Sequence, residues 1–213
     1  MTTTRKVLLV DDHELVRVGV KTTYGELLGL AIEWVEASTL ADAIDLYARH
    51  GDIDVVLLDL NLADCKGLQG LRMFRQAHPD ARVAVFSGTQ DEFVIRQARA
   101  LGAVAYLGKG ALTAETRETL NALLAPTGMA GAARPSVHAQ ALFPRLTRTA
   151  IYDRVAELGP RHLEILELVL SGCTNQEISQ STHLSLGTVK NYVSSLLLAL
   201  DVRSRSHLIS LFR

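Results

Sequence analysis

The chain has 213 residues, 48% of them hydrophobic, a net charge of −1, and two cysteines, Cys65 and Cys173, far apart and without a CxxC partner. A chain of that size can bury one large core or two smaller ones, and that cysteine usage points to neither a disulfide scaffold nor a zinc site. No apolar run reaches membrane-spanning length, and Met1–Lys6 leads into Val7-Leu8-Leu9-Val10 without the pattern of a signal peptide, so a reduced, cytoplasmic protein is expected.

Taken in order, Val7–Val10 reads as a first buried strand, followed by Asp11-Asp12-His13. From Glu14 the apolar positions Leu15, Val18, Leu27 and Leu28 predict an amphipathic helix running to about Leu28. Ala31–Ala37 alternates as a second strand, and Ser38 or Thr39 can cap a helix that ends near Gly51. Ile53–Leu58 is an apolar run rich in Val and Leu and broken only by Asp54, the signature of a strand buried on both faces of a parallel sheet. Asp59 follows directly. Gly67–Ala77 reads as a helix stopped by His78-Pro79. Arg82–Phe86 and Val104–Leu107 are further strands, followed by Ser87-Gly88-Thr89 and Gly108-Lys109-Gly110, and helices are expected over Asp91–Leu101 and Thr113–Leu124.

Strands and helices that alternate in this way build a five-stranded, doubly wound parallel α/β sheet with helices on both faces. Right-handed crossovers bring the strand ends to one rim, where such folds place their chemistry. That rim collects Asp11, Asp12, Asp59, Ser87 and Lys109. Each residue alone could cap a helix or make a turn; four successive strand ends together predict a site. Clustered carboxylates repel one another unless a cation intervenes, and hard oxygen ligands suit Mg²⁺. Lys109 and Ser87 are suited to phosphoryl oxygens, and a carboxylate is a competent phosphoryl acceptor.

On the motifs Val10-Asp11-Asp12, Leu58-Asp59-Leu60, Phe86-Ser87 and Tyr106-Leu107-Gly108-Lys109, residues 5–124 resemble a two-component receiver domain, a flavodoxin-like fold. The resemblance implies that Asp59 accepts a phosphoryl group from a sensor histidine kinase. It implies Mg²⁺ held by Asp11, Asp12, Asp59 and the Asn61 carbonyl, phosphoryl oxygens held by Ser87 and Lys109, and Tyr106 as the aromatic that swings inward with Ser87. Ala63 stands where the family usually has Pro, and Gly108 and Gly110 flank Lys109 where bulkier residues are commoner.

Residues 125–145, rich in Ala, Gly and Pro, read as a linker, and residues 146–213 as a second, all-helical domain. Residues 1–124 carry 13 Lys and Arg against 17 Asp and Glu, whereas 144–213 carry 8 against 6, which hints at separate partners for the two halves. Pro160 opens one helix, Thr174 and Ser185 cap two more over Asn175–Gln180 and Leu186–Leu200, and Ser181–Leu184 join these in a helix-turn-helix.

The core of this half, 158–213, resembles the LuxR-type DNA-binding domain of NarL/FixJ-type response regulators. The resemblance rests on Leu158–Arg161, Gly172–Ile178, Leu184–Asn191 and Val202–Arg205. It implies that the helix after Ser185 enters the major groove of promoter DNA, with Lys190, Asn191 and Ser194 facing bases or backbone and Thr188 and Arg205 contacting phosphate. Leu196, Leu197 and Leu198 stand where the family usually interleaves cations, so weaker and less salt-sensitive binding is expected. Leu198 and Ala199 would extend an apolar surface, either for self-association or for the receiver to cover. His162 replaces a usual Glu.

The whole reads as a phosphorylation-regulated transcription factor, dimeric when phosphorylated, without turnover chemistry and without a membrane partner. Two alternatives are weighed against it. One is a regulator whose output is protein binding. The other is a small α/β phosphatase, for which no pocket-building insertion is present.

Overall fold

A computed structural model describes residues 4–27, 30–88, 91–110, 114–125, 142–144, 154–155 and 158–212. The first half is a sheet of β1 (Arg5–Val10), β2 (Glu26–Leu27), β3 (Leu30–Ala37), β4 (Val55–Leu58), β5 (Val83–Ser87) and β6 (Ala105–Gly108), in the order β2-β3-β1-β4-β5-β6. All neighbours run parallel except β2, which pairs antiparallel with β3 at the edge. The five parallel strands are those expected. The short edge strand is not: helix α1 (Glu14–Tyr24) stops four residues before the predicted end at Leu28, and Leu27 lies in β2. Leu27 is buried either way, so its apolar character could not separate a helix from a hairpin.

The alternation along the central strands divides the core. Val7, Leu9, Val55 and Leu57 face one layer with Val20, Leu120 and Leu123. Leu8, Val10, Val56 and Leu58 face the other with Leu40, Leu71 and Phe74. These layers contain helices α2 (Leu40–His50), α3 (Gln69–Ala77), α4 (Glu92–Ala100) and α5 (Ala114–Leu124). Thr39 caps α2 by accepting from the Asp42 amide, and Gly51 ends it in the left-handed region at φ 66°.

The second half contains α6 (Pro160–Leu170), α7 (Asn175–Thr182), α8 (Leu186–Ala199) and α9 (Arg205–Leu211). Thr174 and Glu177 complete both halves of a capping box at α7, and Ser185 and Ser204 cap α8 and α9. The helix-turn-helix is α7, a turn through His183 at φ 56°, and α8, packed through Ile178, Val189, Val193 and Leu196. Helix α7 runs two residues further than the sequence predicts. Of the expected linker, only residues 125 and 142–144 lie within the described residues.

The two halves touch. The Phe93 and Phe212 rings meet edge to face at 6.0 Å, and the Glu92 amide donates to the Phe212 carbonyl at 3.2 Å. Leu142 of the linker accepts from the Tyr106 amide at 2.9 Å, and the Arg99 guanidinium lies over the Phe143 ring. Helix α6 sends Glu167, only 2% exposed, onto the loop between β4 and α3. There its carboxylate accepts from the Leu68 amide and pairs with Arg72 at 3.1 Å.

Burial pushes the Glu167 carboxyl above its ordinary value of 4.5, against the pull of Arg72 and the Leu68 amide. A folded-state value above the unfolded one makes this group's contribution complete below about pH 4.5 and lost as pH rises through the raised value. Wild-type stability, measured by urea titration against Glu167→Gln, is therefore expected to fall relative to the variant as pH rises above that range.

Candidate functional site

The carboxyl ends of β1, β4, β5 and β6 deliver Asp11, Asp59, Ser87 and Lys109 to one point, as expected for an open parallel sheet. Asp59 follows a strand in which Val55, Val56, Leu57 and Leu58 are all buried, so strand packing fixes its backbone. Its amide donates to the Val10 carbonyl at 3.0 Å, tying it to the strand that carries Asp11. Asp11 is 0% exposed and Asp59 2%.

Lys109 Nζ sits 2.7 Å from Asp11 Oδ2 and 2.7 Å from Asp59 Oδ2. One cation thus bridges two buried carboxylates. Burial raises the Asp59 carboxyl above its ordinary value; Lys109 opposes this and the like charge of Asp11 adds to it. Tyr106 is buried, with burial the main cause of its raised phenol and a side-chain hydrogen bond to Ser87 opposing it. Tyr106 is thus buried and hydrogen-bonded to Ser87.

Asp11, Asp12, His13 and Asp59 each present a ligand atom within 4.8 Å of the others. Three carboxylates with one lysine leave an excess of negative charge that a small hard dication fits. His13 is the member that sequence reasoning missed. Its ring is 61% exposed, with Nδ1 2.7 Å from Asp12 Oδ1 and 3.2 Å from Asp11 Oδ1, which makes it a partner of the carboxylates rather than a hard ligand. The Asp-Asp-His run at a strand end was the available signal. The Asn61 carbonyl lies on the following loop, where Lys66 Nζ approaches it at 3.4 Å.

A cavity of about 230 Å³ opens onto Asp59, lined also by His13, Ser87, Gly88, Lys109 and Ser171. Ser171 belongs to the other half of the chain. Cys65, whose thiol burial pushes up to about 11, and buried Cys173 are both free and take no part in the cluster.

On the helical half, Lys190, Asn191 and Ser194 of α8 are exposed, while Thr188 is half-buried with its hydroxyl 2.8 Å from Ser185 Oγ. Arg205, expected at DNA phosphate, instead turns inward, donating to Asn175 Oδ1 at 3.2 Å and to the Cys173 carbonyl. Leu198 is 84% exposed, so the receiver does not cover it.

Comparison with known proteins agrees with both halves. Residues 7–121 match the response regulator receiver domain, and residues 156–212 match the bacterial regulatory proteins of the luxR family. The nitrate/nitrite response regulator protein NarL of Escherichia coli is 32% identical over 93% of this chain and 90% of its own. A glycerol metabolism activator of Pseudomonas putida is 29% identical over 94% and 91%. The RcsB response regulator of Salmonella typhimurium shares the fold, with a TM-score of 0.69 at 17% identity over 99% of this chain and 97% of that one.

Proposed function

The chain belongs to the response regulators that join a receiver domain to a LuxR-type DNA-binding domain, and on that premise we propose which residues perform each step. It is a phosphorylation-regulated, DNA-binding regulator of transcription. We assign the receiver to residues 5–124, the linker to 125–145 and the DNA-binding domain to 146–213. The observation that carries the reading is Lys109 Nζ held 2.7 Å from both Asp11 and Asp59, with all three residues at the rim and Asp59 and Lys109 lining one open cavity.

A sensor histidine kinase presents phosphohistidine to this rim. An Asp59 carboxylate oxygen attacks phosphorus as the P–N bond breaks; the electron pair stays on the imidazole nitrogen, which takes up a proton. Lys109 and Ser87 hold the phosphoryl oxygens by charge and hydrogen bond. Asp11, Asp12, Asp59 and the Asn61 carbonyl would hold Mg²⁺, which when bound neutralises charge on the phosphoryl group. Ser87 and Tyr106 link the loaded site to the β6 side of the domain, where the linker bonds the Tyr106 amide. The protein acts as a switch in the cytoplasm and not as a turnover catalyst. Incubation with phosphoramidate and Mg²⁺ tests this: phosphate incorporation should map to Asp59, and incorporation elsewhere would contradict it.

Lys190, Asn191 and Ser194 lie exposed on one helix face for the major groove, with Thr188 toward phosphate. Two copies pairing on phosphorylation would supply two such helices for paired half-sites. Arg205 is left out of the contact set because its guanidinium braces α9 against Asn175 and Cys173. Asn191→Ala is expected to cost about 1–3 kcal/mol on the preferred duplex and far less on random sequence, as a mobility-shift titration would report.

A second reading, output by protein binding, is favoured by the exposed Leu198 on a helix whose second half carries no cation. Retention on duplex DNA that is lost with salt supports the first reading, and salt-independent failure to bind supports the second.

A further inference from the structure

The peptide between Asp11 and Asp12, whose side chains both belong to the acidic cluster, is held from outside that cluster. Arg17, in the first turn of α1, donates from Nη1 to the Asp11 carbonyl at 2.6 Å. The Arg17 amide donates to the His13 carbonyl at 3.2 Å, and the His13 amide donates to Asp11 Oδ1 at 3.0 Å. The run Asp11-Asp12-His13 is thus clasped between the end of β1 and the start of α1. The guanidinium is fixed in turn from β3. Its Nε donates to Glu36 Oε2 at 3.1 Å, and Glu36 also pairs with Lys21. Lys21 and Arg17 hold the Glu36 carboxyl below its ordinary value of 4.5, so it is ionised at neutral pH. The Asp11 amide donates to the carbonyl of Ala37, the residue after Glu36, at 3.1 Å. β3 therefore grips Asp11 twice, directly through Ala37 and indirectly through Glu36 and Arg17.

Rotation of this peptide would swing both carboxylates, because it joins the two residues that carry them. Groups that hold metal ligands in place from behind are worth roughly 10–100-fold in metal affinity. We propose that Arg17 is a positioning residue for the Mg²⁺ site: it fixes the Asp11–Asp12 peptide so that both carboxylates meet one ion, and Glu36 holds Arg17 in place. This rests on the reading of the acidic rim as the Mg²⁺ site. Charge and position act in opposite directions here, which separates them. Arg17 is a cation beside a site for a cation, so its charge alone weakens Mg²⁺ binding, and only its grip on the carbonyl strengthens it. The planar fork serves both partners at once, Nη1 for Asp11 and Nε for Glu36, whereas a lysine offers a single nitrogen.

Calorimetric titration of Mg²⁺ into the full-length chain tests this. A second readout is the Mg²⁺ concentration that gives half-maximal labelling by phosphoramidate. Arg17→Ala is expected to weaken Mg²⁺ binding about tenfold and to raise that concentration by a similar factor. Arg17→Lys, which keeps the charge and loses the fork, should recover only part of the affinity. Glu36→Ala should give a smaller loss, with nothing further lost when it is combined with Arg17→Ala. Arg17, Glu36 and Arg49 line one open cavity, and Arg49→Ala, which removes another cation from it, should leave Mg²⁺ binding unchanged. Unchanged or tighter binding in Arg17→Ala, or an equal weakening in Arg49→Ala, overturns the proposal. If Arg17→Ala does not fold, Glu36→Ala decides, and unchanged affinity there overturns the proposal. Failure of the wild type to bind Mg²⁺ would instead overturn the reading of the acidic rim, and this proposal with it.

Discussion

Asp59→Ala is expected to reduce phosphoryl incorporation from any donor to background while leaving the fold intact and slightly more stable. Activity is lost because, in the proposed reaction, Asp59 supplies the attacking oxygen. Stability moves the other way because Asp59 is 2% exposed, raised by burial, and repelled by Asp11. Removing it leaves Lys109 still paired with Asp11 at 2.7 Å, so no buried charge is orphaned. A gain of about 1 kcal/mol is the expected scale for relieving strain at a functional site. Mass spectrometry of phosphoramidate-treated protein checks the first statement, and thermal unfolding without Mg²⁺ checks the second.

Lys109→Ala should do the opposite to stability. Asp11 at 0% exposure and Asp59 at 2% would then face each other without the lysine that bridges them. Breaking a buried pair by removing one partner costs about 3–5 kcal/mol, because the remaining charge is buried and unpaired. Added Mg²⁺ is expected to recover more stability in this variant than in the wild type, since the cluster of Asp11, Asp12 and Asp59 has lost its internal cation. Equal Mg²⁺ stabilisation of both proteins, in denaturant titrations with and without the ion, would contradict that account.

The sheet was legible because its strands are continuous apolar runs punctuated by Asp, Ser and Gly, and β4 shows this most plainly. Asp11, Asp59, Ser87 and Lys109 were legible for the same reason: topology alone brings strand ends together. What escaped the sequence depended on neighbours distant along the chain. Leu27 had an apolar side chain suited to either a helix or the β2 hairpin, and the antiparallel pairing with β3 decided it. Arg205 read as a contact to DNA phosphate, yet its guanidinium donates to Asn175 and to the Cys173 carbonyl. Glu167 stood inside the apolar stripe of α6, a carboxylate at a position of burial, and that mismatch was a readable sign of a charged partner. Its partners, Leu68 and Arg72, lie about 100 residues away, on the other domain. Ser171 carried no such sign. It read as the end of a helix, and only docking brings it to the cavity that Asp59 also lines.

The state of Asp59 is expected to control DNA binding through α8, and footprinting on fragments of the source genome reads that control. The experiment compares protection with and without beryllium trifluoride and Mg²⁺, in the wild type and in Asp59→Ala. Protection that strengthens with the mimic in the wild type and is indifferent to it in Asp59→Ala is the predicted result. Protection equally strong in all four conditions would contradict this, because the receiver would then be uncoupled from the helix that reads DNA.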